Sequence, residues 1–198
     1  TATLAAIAKY SKPVQKGLQE LTIDYDVNRK TRVCLALLPE WDPSFPPYNI
    51  AKLASAIKRA GYACKSFDIN VDAFSKYLNE KWDIPFDPWN PLRDWHWLKE
   101  GYYKDIHTFL KPIMLEYIEE MIKFKPDVVG FSLYYCNEEP CKWMATEIKK
   151  RMPGVKIIVG GPATHASYYK GETIYDYVVN GEGEQPLLSM LKTLEDKV

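Results

Sequence analysis

VCLALL, at residues 33–38, is an unbroken apolar run. Such a run is typical of a strand that is covered on both faces, as parallel strands are in α/β proteins. After a proline-rich turn comes YNIAKLASAIKRAG, residues 48–61, which has apolar residues at helical spacing and ends on Gly61, a residue favoured just after a helix. These two stretches predict the first strand and the first helix of a parallel α/β sheet.

The same alternation of strand and helix continues along the chain. Because strands joined by helices form right-handed crossovers, the order predicts a single parallel sheet. Five predicted strands favour a flavodoxin-like (Rossmann-like) doubly wound sheet of order 2-1-3-4-5, whose ligands bind beyond the carboxyl ends of the strands. The later strands are ACKSFDI (63–69), DVVGFSL (127–133), VKIIVGG (155–161) and YDYVVNG (175–181), and the later helices are residues 138–152 and 184–197.

One crossover is unusually long. Nearly sixty residues, 70–126, separate the second and third strands, and this insert holds four of the six tryptophans: Trp82, Trp89, Trp95 and Trp97. Two interpretations stay open, an aromatic mini-core that closes the insertion, or a cap or partner-docking surface, since large exposed aromatic side chains are costly. Its second half, residues 102–125, predicts the crossover helix, with a kink or a break at Pro112.

Composition limits the partners and the compartment. Residues 1–30 predict a helical lead-in, and residues 31–198 the main domain. The 26 basic and 26 acidic residues balance, which gives no electrostatic footprint for nucleic acid or an anionic membrane. No run reaches the ~18 to 20 apolar residues that span a bilayer, and the lead-in is too polar for a signal peptide. The four cysteines lack C-x-x-C or zinc spacing, which predicts a reducing cytoplasm.

The loops after the strands limit which cofactors the sheet can bind. PEWDPSFPPYN, residues 39–49, has four prolines and no glycine, so it cannot be the G-x-G-x-x-G loop of a dinucleotide site, and no P-loop motif occurs in the chain. Prolines stiffen this loop, and Trp41 predicts a flat apolar surface that suits a large planar ligand. The phosphoacceptor aspartate of response regulators and the phosphate loop of flavodoxins are also absent.

Small or aromatic residues follow the last three strands. SLYYCNEEP, residues 132–140, offers a small hydroxyl and two tyrosine walls to a ligand, or else forms a capped turn with packed tyrosines. GGPATH (160–165) and GEGE (181–184) have little side-chain bulk, which allows a ligand to approach the backbone closely. Of the three histidines, His96 and His107 predict surface or capping roles, and His165 is placed near the ligand space.

The ordered set of loops resembles a known family. The set is similar to the N-terminal cobalamin-binding domain of B12-dependent radical SAM enzymes. It consists of P-x-W-x-P…PP-x-x-x-A-x-L-A-x-x-[IL]-[KR]-x-x-G-[YH] (39–62), Asp68 at the end of the second strand, PDVVGFS (126–132), GGP (160–162) and GEGE (181–184). The resemblance covers residues ~33 to ~195 apart from the insert. It implies cobalamin as the cofactor and a corrin at the carboxyl edge of the sheet. In many members of that family, cobalamin passes a methyl group to an unactivated carbon or phosphorus centre.

The resemblance also implies which residues bind the cofactor. The loop below the corrin would hold Pro39, Trp41 and Asp42, and the slot for the nucleotide tail would hold Ser132, Leu133 and Tyr134. The wall beside the tail would be Gly160, Gly161 and Pro162, and the floor Gly181, Glu182 and Gly183. No D-x-H-x-x-G motif follows the first strand, so the lower face of cobalt is predicted to lack a protein histidine, with Trp41 or a water below the metal.

The chain departs from the family in one respect: it contains no C-x-x-x-C-x-x-C motif to hold a 4Fe–4S cluster. It therefore cannot cleave S-adenosylmethionine by itself. We expect the cluster and S-adenosylmethionine to bind in a C-terminal radical SAM domain of a longer methyltransferase-type enzyme, although a stand-alone carrier is the other possibility. Two alternatives remain, a non-catalytic interaction domain and another nucleotide-binding domain with a vestigial site.

Overall fold

The computed structural model describes residues 30–80, 82–164 and 174–196. Five strands form one sheet in the order β2-β1-β3-β4-β5, and every neighbouring pair is parallel. This confirms the predicted flavodoxin-like arrangement. The lead-in and His165 lie outside the described residues, and the domain boundary at residue 31 stays a prediction. The strands are β1 (Arg32–Leu37), β2 (Ala63–Asp68), β3 (Val128–Ser132), β4 (Lys156–Gly160) and β5 (Tyr177–Val179).

Five longer helices flank the described part of the sheet: α1 (Tyr48–Arg59), α2 (Ile69–Glu80), α3 (His107–Phe124), α4 (Glu138–Arg151) and α5 (Glu184–Glu195). None of the helices in the described ranges has the length and apolar character that a bilayer-spanning segment needs. Helix α3 continues through Pro112, so of the predicted kink or break the break is wrong, and the kink stays a prediction. A π-helical turn, Tyr102–Ile106, precedes α3 directly.

The side chains of the central strands divide into two packed groups, one on each face of the sheet. On one face Val33, Leu35 and Leu37 pack with α1 and α5. On the other face Cys34 and Ala36 pack with α3, α4 and the insert. The alternation follows from the two-residue period of a strand, and burial on both faces explains why every residue of β1 after the exposed Arg32 is apolar.

The insert completes the core on the second face. Trp82, Trp89 and Trp97 are 8%, 7% and 0% exposed, and they join the same cluster as the side chains of β1 and β3. The Trp97 indole donates to the carbonyl of Pro88 at 2.7 Å. Trp95 differs, because it is 52% exposed. Three of the four insert tryptophans therefore form the aromatic mini-core that the first interpretation predicts.

Candidate functional site

A cleft of about 330 Å³ opens at the carboxyl edge of the sheet. The cleft face of β1, β3 and β4 lines one side, and α1 and α5 line the other. The GEGE segment, residues 181–184, lies at its rim. This is the edge where ligands of doubly wound sheets bind, and it is the edge that the sequence predicts.

The cleft is hollow because three cleft-facing positions of β3 and β4 carry small residues. In the strand register Gly130 lies between Leu35 and Ile158, and one row higher Ser132 pairs with Gly160. A Cβ atom built on Gly130 would lie 2.8 Å from the Leu35 side chain, so Leu35 occupies part of the space that a larger residue would need. Two apolar residues therefore form the base of the cleft, and Gly130, Ser132 and Gly160 leave the room above it.

Six of the twelve predicted site residues line this cleft: Ser132, Gly160, Gly161, Gly181, Glu182 and Gly183. The other six lie outside its lining: Pro39, Trp41, Asp42, Leu133, Tyr134 and Pro162. Leu133 is fully buried with the insert-side core. Pro39 is buried, and Asp42 accepts a hydrogen bond from the backbone N–H of Ser44 at 2.9 Å.

Gly161 has a structural reason to be glycine. Its φ is +120°, a left-handed conformation, and a Cβ atom there would lie 2.6 Å from the carbonyl oxygen of Leu133. The Leu133 N–H donates to Gly160 at 2.7 Å, so the β3 and β4 backbones meet closely at this point. Gly160 differs, because the nearest atoms to a Cβ atom there belong to Val179 at 3.7 Å, an ordinary contact.

An ion pair crosses the rim of the cleft. The Lys52 ammonium on α1 lies 3.0 Å from Glu182 and also contacts Glu184, the first residue of α5. The Lys52 hydrogen bond lowers the pKa of Glu184. The rim therefore carries one cation and two carboxylates, and it is a poor site for a phosphate dianion. The sequence predicted Glu184 at the helix start, but it gave no sign of its partner Lys52.

The loop after β1 is fixed by the insert. Asn70 is fully buried; its side-chain oxygen accepts the backbone N–H of Trp41 at 3.1 Å and the indole N–H of Trp89 at 2.9 Å. Its amide donates to the Trp41 carbonyl at 2.8 Å. The Trp41 ring lies 4.6 Å from the Tyr134 ring, centroid to centroid. The insert therefore holds Trp41 against Tyr134 beside the cleft.

A polar network joins α1 to the end of β3. The side-chain amide of Asn49 donates to the hydroxyl oxygens of Ser132 and Tyr134. Asn49 and Ser132 line the cleft, whereas Tyr134 is not among its lining residues. Asn49 and Lys52 are the polar cleft residues that sequence reasoning missed. Their position in the sequence could have identified them, because both lie in the first two turns of the helix that follows β1. The start of that helix lies at the carboxyl edge of the sheet.

Glu40 is a residue of the loop after β1 whose carboxyl group is buried. It is 8% exposed, and burial raises its pKa to about 7, with a further rise from Asp94, Asp87 and Asp42. Its carbonyl oxygen accepts a hydrogen bond from the Cys136 thiol at 3.1 Å. Glu40 is not among the residues that line the cleft.

The two described histidines lie in the insert and on α3. The Nδ1 atom of His96 is 2.7 Å from Asp105, and its ring stacks on Phe86. The Nδ1 atom of His107 is 3.0 Å from the Tyr102 hydroxyl, and burial lowers the pKa of His107. Neither lines the cleft. Within the described residues, no group of three or more histidine, cysteine or carboxylate side chains could hold a metal ion.

Comparisons with known proteins point to the same edge of the sheet. The family model of the B12 binding domain matches residues 103–191, which include β3, β4 and β5. A comparison with curated proteins finds no match. The match confirms the resemblance to a cobalamin-binding domain that was inferred from the sequence, and it begins within the insert, just before the crossover helix α3.

Two solved structures of the radical S-adenosylmethionine methyltransferase TsrM from Kitasatospora setae are similar to this chain. The one with tryptophan substrate and the analogue aza-SAM bound has 17% identity and a TM-score of 0.52 over 85% of this chain and 26% of its own. The one with cobalamin and a 4Fe–4S cluster bound has 18% identity and a TM-score of 0.50 over 85% of this chain and 27% of its own. The chain thus spans about a quarter of the length of these structures.

Proposed function

From the B12 binding domain match over residues 103–191, we propose that this chain binds cobalamin at the carboxyl edge of its sheet, with the nucleotide tail in the cleft. The observation that carries the proposal is the hollow left by Gly130, Ser132 and Gly160 on the strands that the family match covers.

The character of the cleft fits a neutral heterocycle. Leu35 and Ile158 provide an apolar base, and Ser132 provides a hydroxyl at the side. The charged lining residues are Lys52, Glu182 and Glu184, which pair with one another. A flat aromatic base in an apolar slot gains from burial, whereas a terminal phosphate would meet the two carboxylates. The tail of cobalamin presents such a base.

The corrin is expected to lie over the loop that follows β1. Phe45 in that loop and Tyr48 at the start of α1 are 60% and 75% exposed, and a bound macrocycle would cover such apolar surface. Trp41, Pro39 and Asp42 belong to the same loop, and we propose Trp41 or a water below the metal. We propose a lower face without a histidine ligand, because no D-x-H-x-x-G motif follows the first strand. Nitrogen superhyperfine coupling from a protein histidine in the EPR spectrum of the Co(II) form would contradict this.

We further propose that the chain acts as the cobalamin module of a longer enzyme. This chain covers only about a quarter of each similar methyltransferase structure, and one of the two holds a 4Fe–4S cluster as well as cobalamin. We expect the cluster and S-adenosylmethionine to be bound by a radical SAM domain in the same polypeptide. Cobalamin would supply a transferable methyl group, and this chain would bury the tail, hold the corrin flat and tune the cobalt through the groups that lie below it.

The balanced charge of the chain and its thiols support the remaining proposals, a cytoplasmic protein that binds neither nucleic acid nor membrane. The net charge is zero, and Cys34 and Cys141 are free thiols in the core. Free buried cysteines are usual in a reducing compartment.

The direct test is to mix the protein with hydroxocobalamin and separate it by gel filtration. A pink protein peak with an equimolar cobalamin absorbance supports the proposal, and a colourless peak contradicts it. Flavin mononucleotide is the matched comparison, because it is also flat but carries a terminal phosphate. Binding of the flavin without binding of cobalamin would instead favour another nucleotide-binding domain, and binding of neither would favour an interaction domain.

A further inference from the structure

The carboxyl group of Glu40 is buried without a partner. The residue is 8% exposed, and its backbone carbonyl accepts the Cys136 thiol. Among residues 30–80, 82–164 and 174–196, no hydrogen bond or ion pair reaches its side-chain oxygens. A buried carboxyl group that gives up water without gaining a hydrogen bond lowers the stability of the fold. Such a group therefore points to a ligand, because folding gains nothing from it.

Glu40 lies at the same edge of the sheet as the cleft. It follows β1, and its carbonyl contact joins it to Cys136 in the turn after β3. Asn137, fully buried in that turn, donates to the carbonyl of Leu38 at 3.2 Å and to that of Ser132 at 3.0 Å. The loop after β1 is thus tied to the end of β3, and it is the loop that we propose lies below the corrin.

The surroundings of Glu40 suit a neutral partner and repel an anion. Burial and then the nearby carboxylates of Asp94, Asp87 and Asp42 raise the pKa of Glu40 to about 7. The three aspartates are exposed, and they belong to the insert and to the loop itself. Below neutral pH Glu40 therefore holds its proton, so its carboxyl group has one O–H donor and one carbonyl acceptor. A primary carboxamide presents the complementary acceptor and donor.

We infer that the Glu40 carboxyl group binds a carboxamide side chain at the rim of the corrin through two hydrogen bonds. The acid O–H donates to the amide oxygen, and the amide N–H donates to the acid carbonyl oxygen. The inference rests on the proposed binding of cobalamin, whose corrin carries several primary carboxamides. It deepens that proposal, because it assigns a polar residue to the ring, whereas the cleft accounts only for the tail.

The probe is a pair of corrinoids that differ in the tail. Cobalamin and cobinamide share the corrin ring and its primary carboxamides, but cobinamide lacks the nucleotide. Dissociation constants for both are measured by absorbance titration below neutral pH, with the wild-type chain, Glu40→Gln and Glu40→Met. Both replacements are close to glutamate in size; glutamine keeps a donor and an acceptor, and methionine has no donor and only a weak acceptor.

Glu40→Met should weaken the binding of both corrinoids about tenfold, the effect of losing one net hydrogen bond. Glu40→Gln should stay within about threefold of the wild type, because its amide can pair with the same carboxamide. In the cofactor-free chain, Glu40→Met should raise the urea midpoint, since it removes a buried group without a partner. A purely structural role for Glu40 would instead lower stability and affinity together.

Four results would overturn the inference. They are wild-type affinity in Glu40→Met, an equal loss in Glu40→Gln, a Glu40→Met chain that is less stable as well as weaker in binding, and a loss confined to cobalamin, which would place the contact at the tail. Glu100→Met is the matched control, because Glu100 is exposed in the insert. A wild-type chain that binds neither corrinoid would refute the proposed function, whereas binding of both that is unaffected by Glu40→Met would refute this inference alone.

Discussion

The two faces of the sheet are built in opposite ways. On the insert face, Trp82, Trp89 and Trp97 fill the space beside β1 and β3 with large aromatic rings. On the cleft face, the small residues Ser132 and Gly160 leave space that no side chain fills. Both faces use the same strands, so the alternation of side chains lets one sheet carry a packed core and a binding cleft back to back. The packed face contributes to stability through its buried side chains, whereas the hollow face makes fewer packing contacts and leaves room for a ligand.

The faces are connected at the loop after β1. Asn70 binds Trp89 of the insert and also Trp41, whose ring contacts Tyr134 beside the cleft. The insert therefore does more than close the fold, because it holds the loop that we propose lies below the corrin. The following experiments change one face at a time.

The largest effect is expected on the packed face. Replacing Trp89 by alanine should lower the free energy of unfolding by about 3 to 5 kcal/mol, the usual cost of truncating a buried tryptophan. Urea denaturation measures this directly. Trp95→Ala is the control, because Trp95 is 52% exposed in the same insert, and its replacement should change stability by no more than about 0.5 kcal/mol. Equal losses in the two variants would mean that the insert is not a packed core.

The next effect is expected on the hollow face. Gly160→Leu should weaken cobalamin binding about 100-fold or more, because the new side chain occupies the cleft. The fold should persist, since a Cβ atom at Gly160 meets only an ordinary contact with Val179. Gly161 is unsuitable for this test, because a side chain there would collide with the Leu133 backbone. Gel filtration with cobalamin and a thermal melt read out the two properties separately.

Gly154→Leu provides the matched control for that experiment. Nothing lies within 4 Å of a Cβ atom at Gly154, which precedes β4 away from the cleft. This variant should bind cobalamin as the wild type does. If Gly160→Leu also bound normally, the tail would have to lie elsewhere than in this cleft.

A smaller effect is expected at Glu40, in the loop that joins the two faces. Its ordinary pKa is 4.5, and the folded protein raises it to about 7, so the folded state holds a proton that the unfolded chain releases. Stability should therefore fall as pH rises from 4.5 to about 7 and then level off. Glu40→Gln should remove this fall and be more stable than the wild type by about 2 kcal/mol at pH 8.

Urea denaturation at several pH values checks the Glu40 prediction. Glu100→Gln is the control, because Glu100 is exposed and its replacement should leave the pH dependence unchanged. A Glu40→Gln protein with the wild-type slope between pH 5 and about 7 would show that this carboxyl group titrates normally in the folded chain.

The sequence predicted the sheet well because each central strand is an apolar run bounded by turns. It did not predict α2, which begins directly after β2 and buries Asn70, a polar residue whose partners lie elsewhere in the chain. The predicted mini-core is confirmed for Trp82, Trp89 and Trp97, whereas the exposure of Trp95 could not be read from composition.

The cleft was predictable where backbone order alone places residues. Ser132 and Gly160 end parallel neighbouring strands, so they meet at one edge whatever the side-chain details. The sequence could not show why residue 161 must be glycine, because the requirement comes from the short distance between Gly161 and the Leu133 backbone. Asn49 and Lys52 were missed for a related reason, since the rotation of α1 over the sheet decides which of its polar residues face inward.

The smallest effect is expected at the rim, where Lys52→Gln breaks the ion pair with Glu182 and Glu184. The side chains of Lys52 and Glu182 are 46% and 87% exposed, and such pairs contribute little because water and salt screen them. Cobalamin affinity should change by no more than about threefold, with Lys192→Gln on α5 as an exposed control. A much larger loss would mean that the rim clamps the ligand, so that the cleft face depends on charge as well as on its missing side chains.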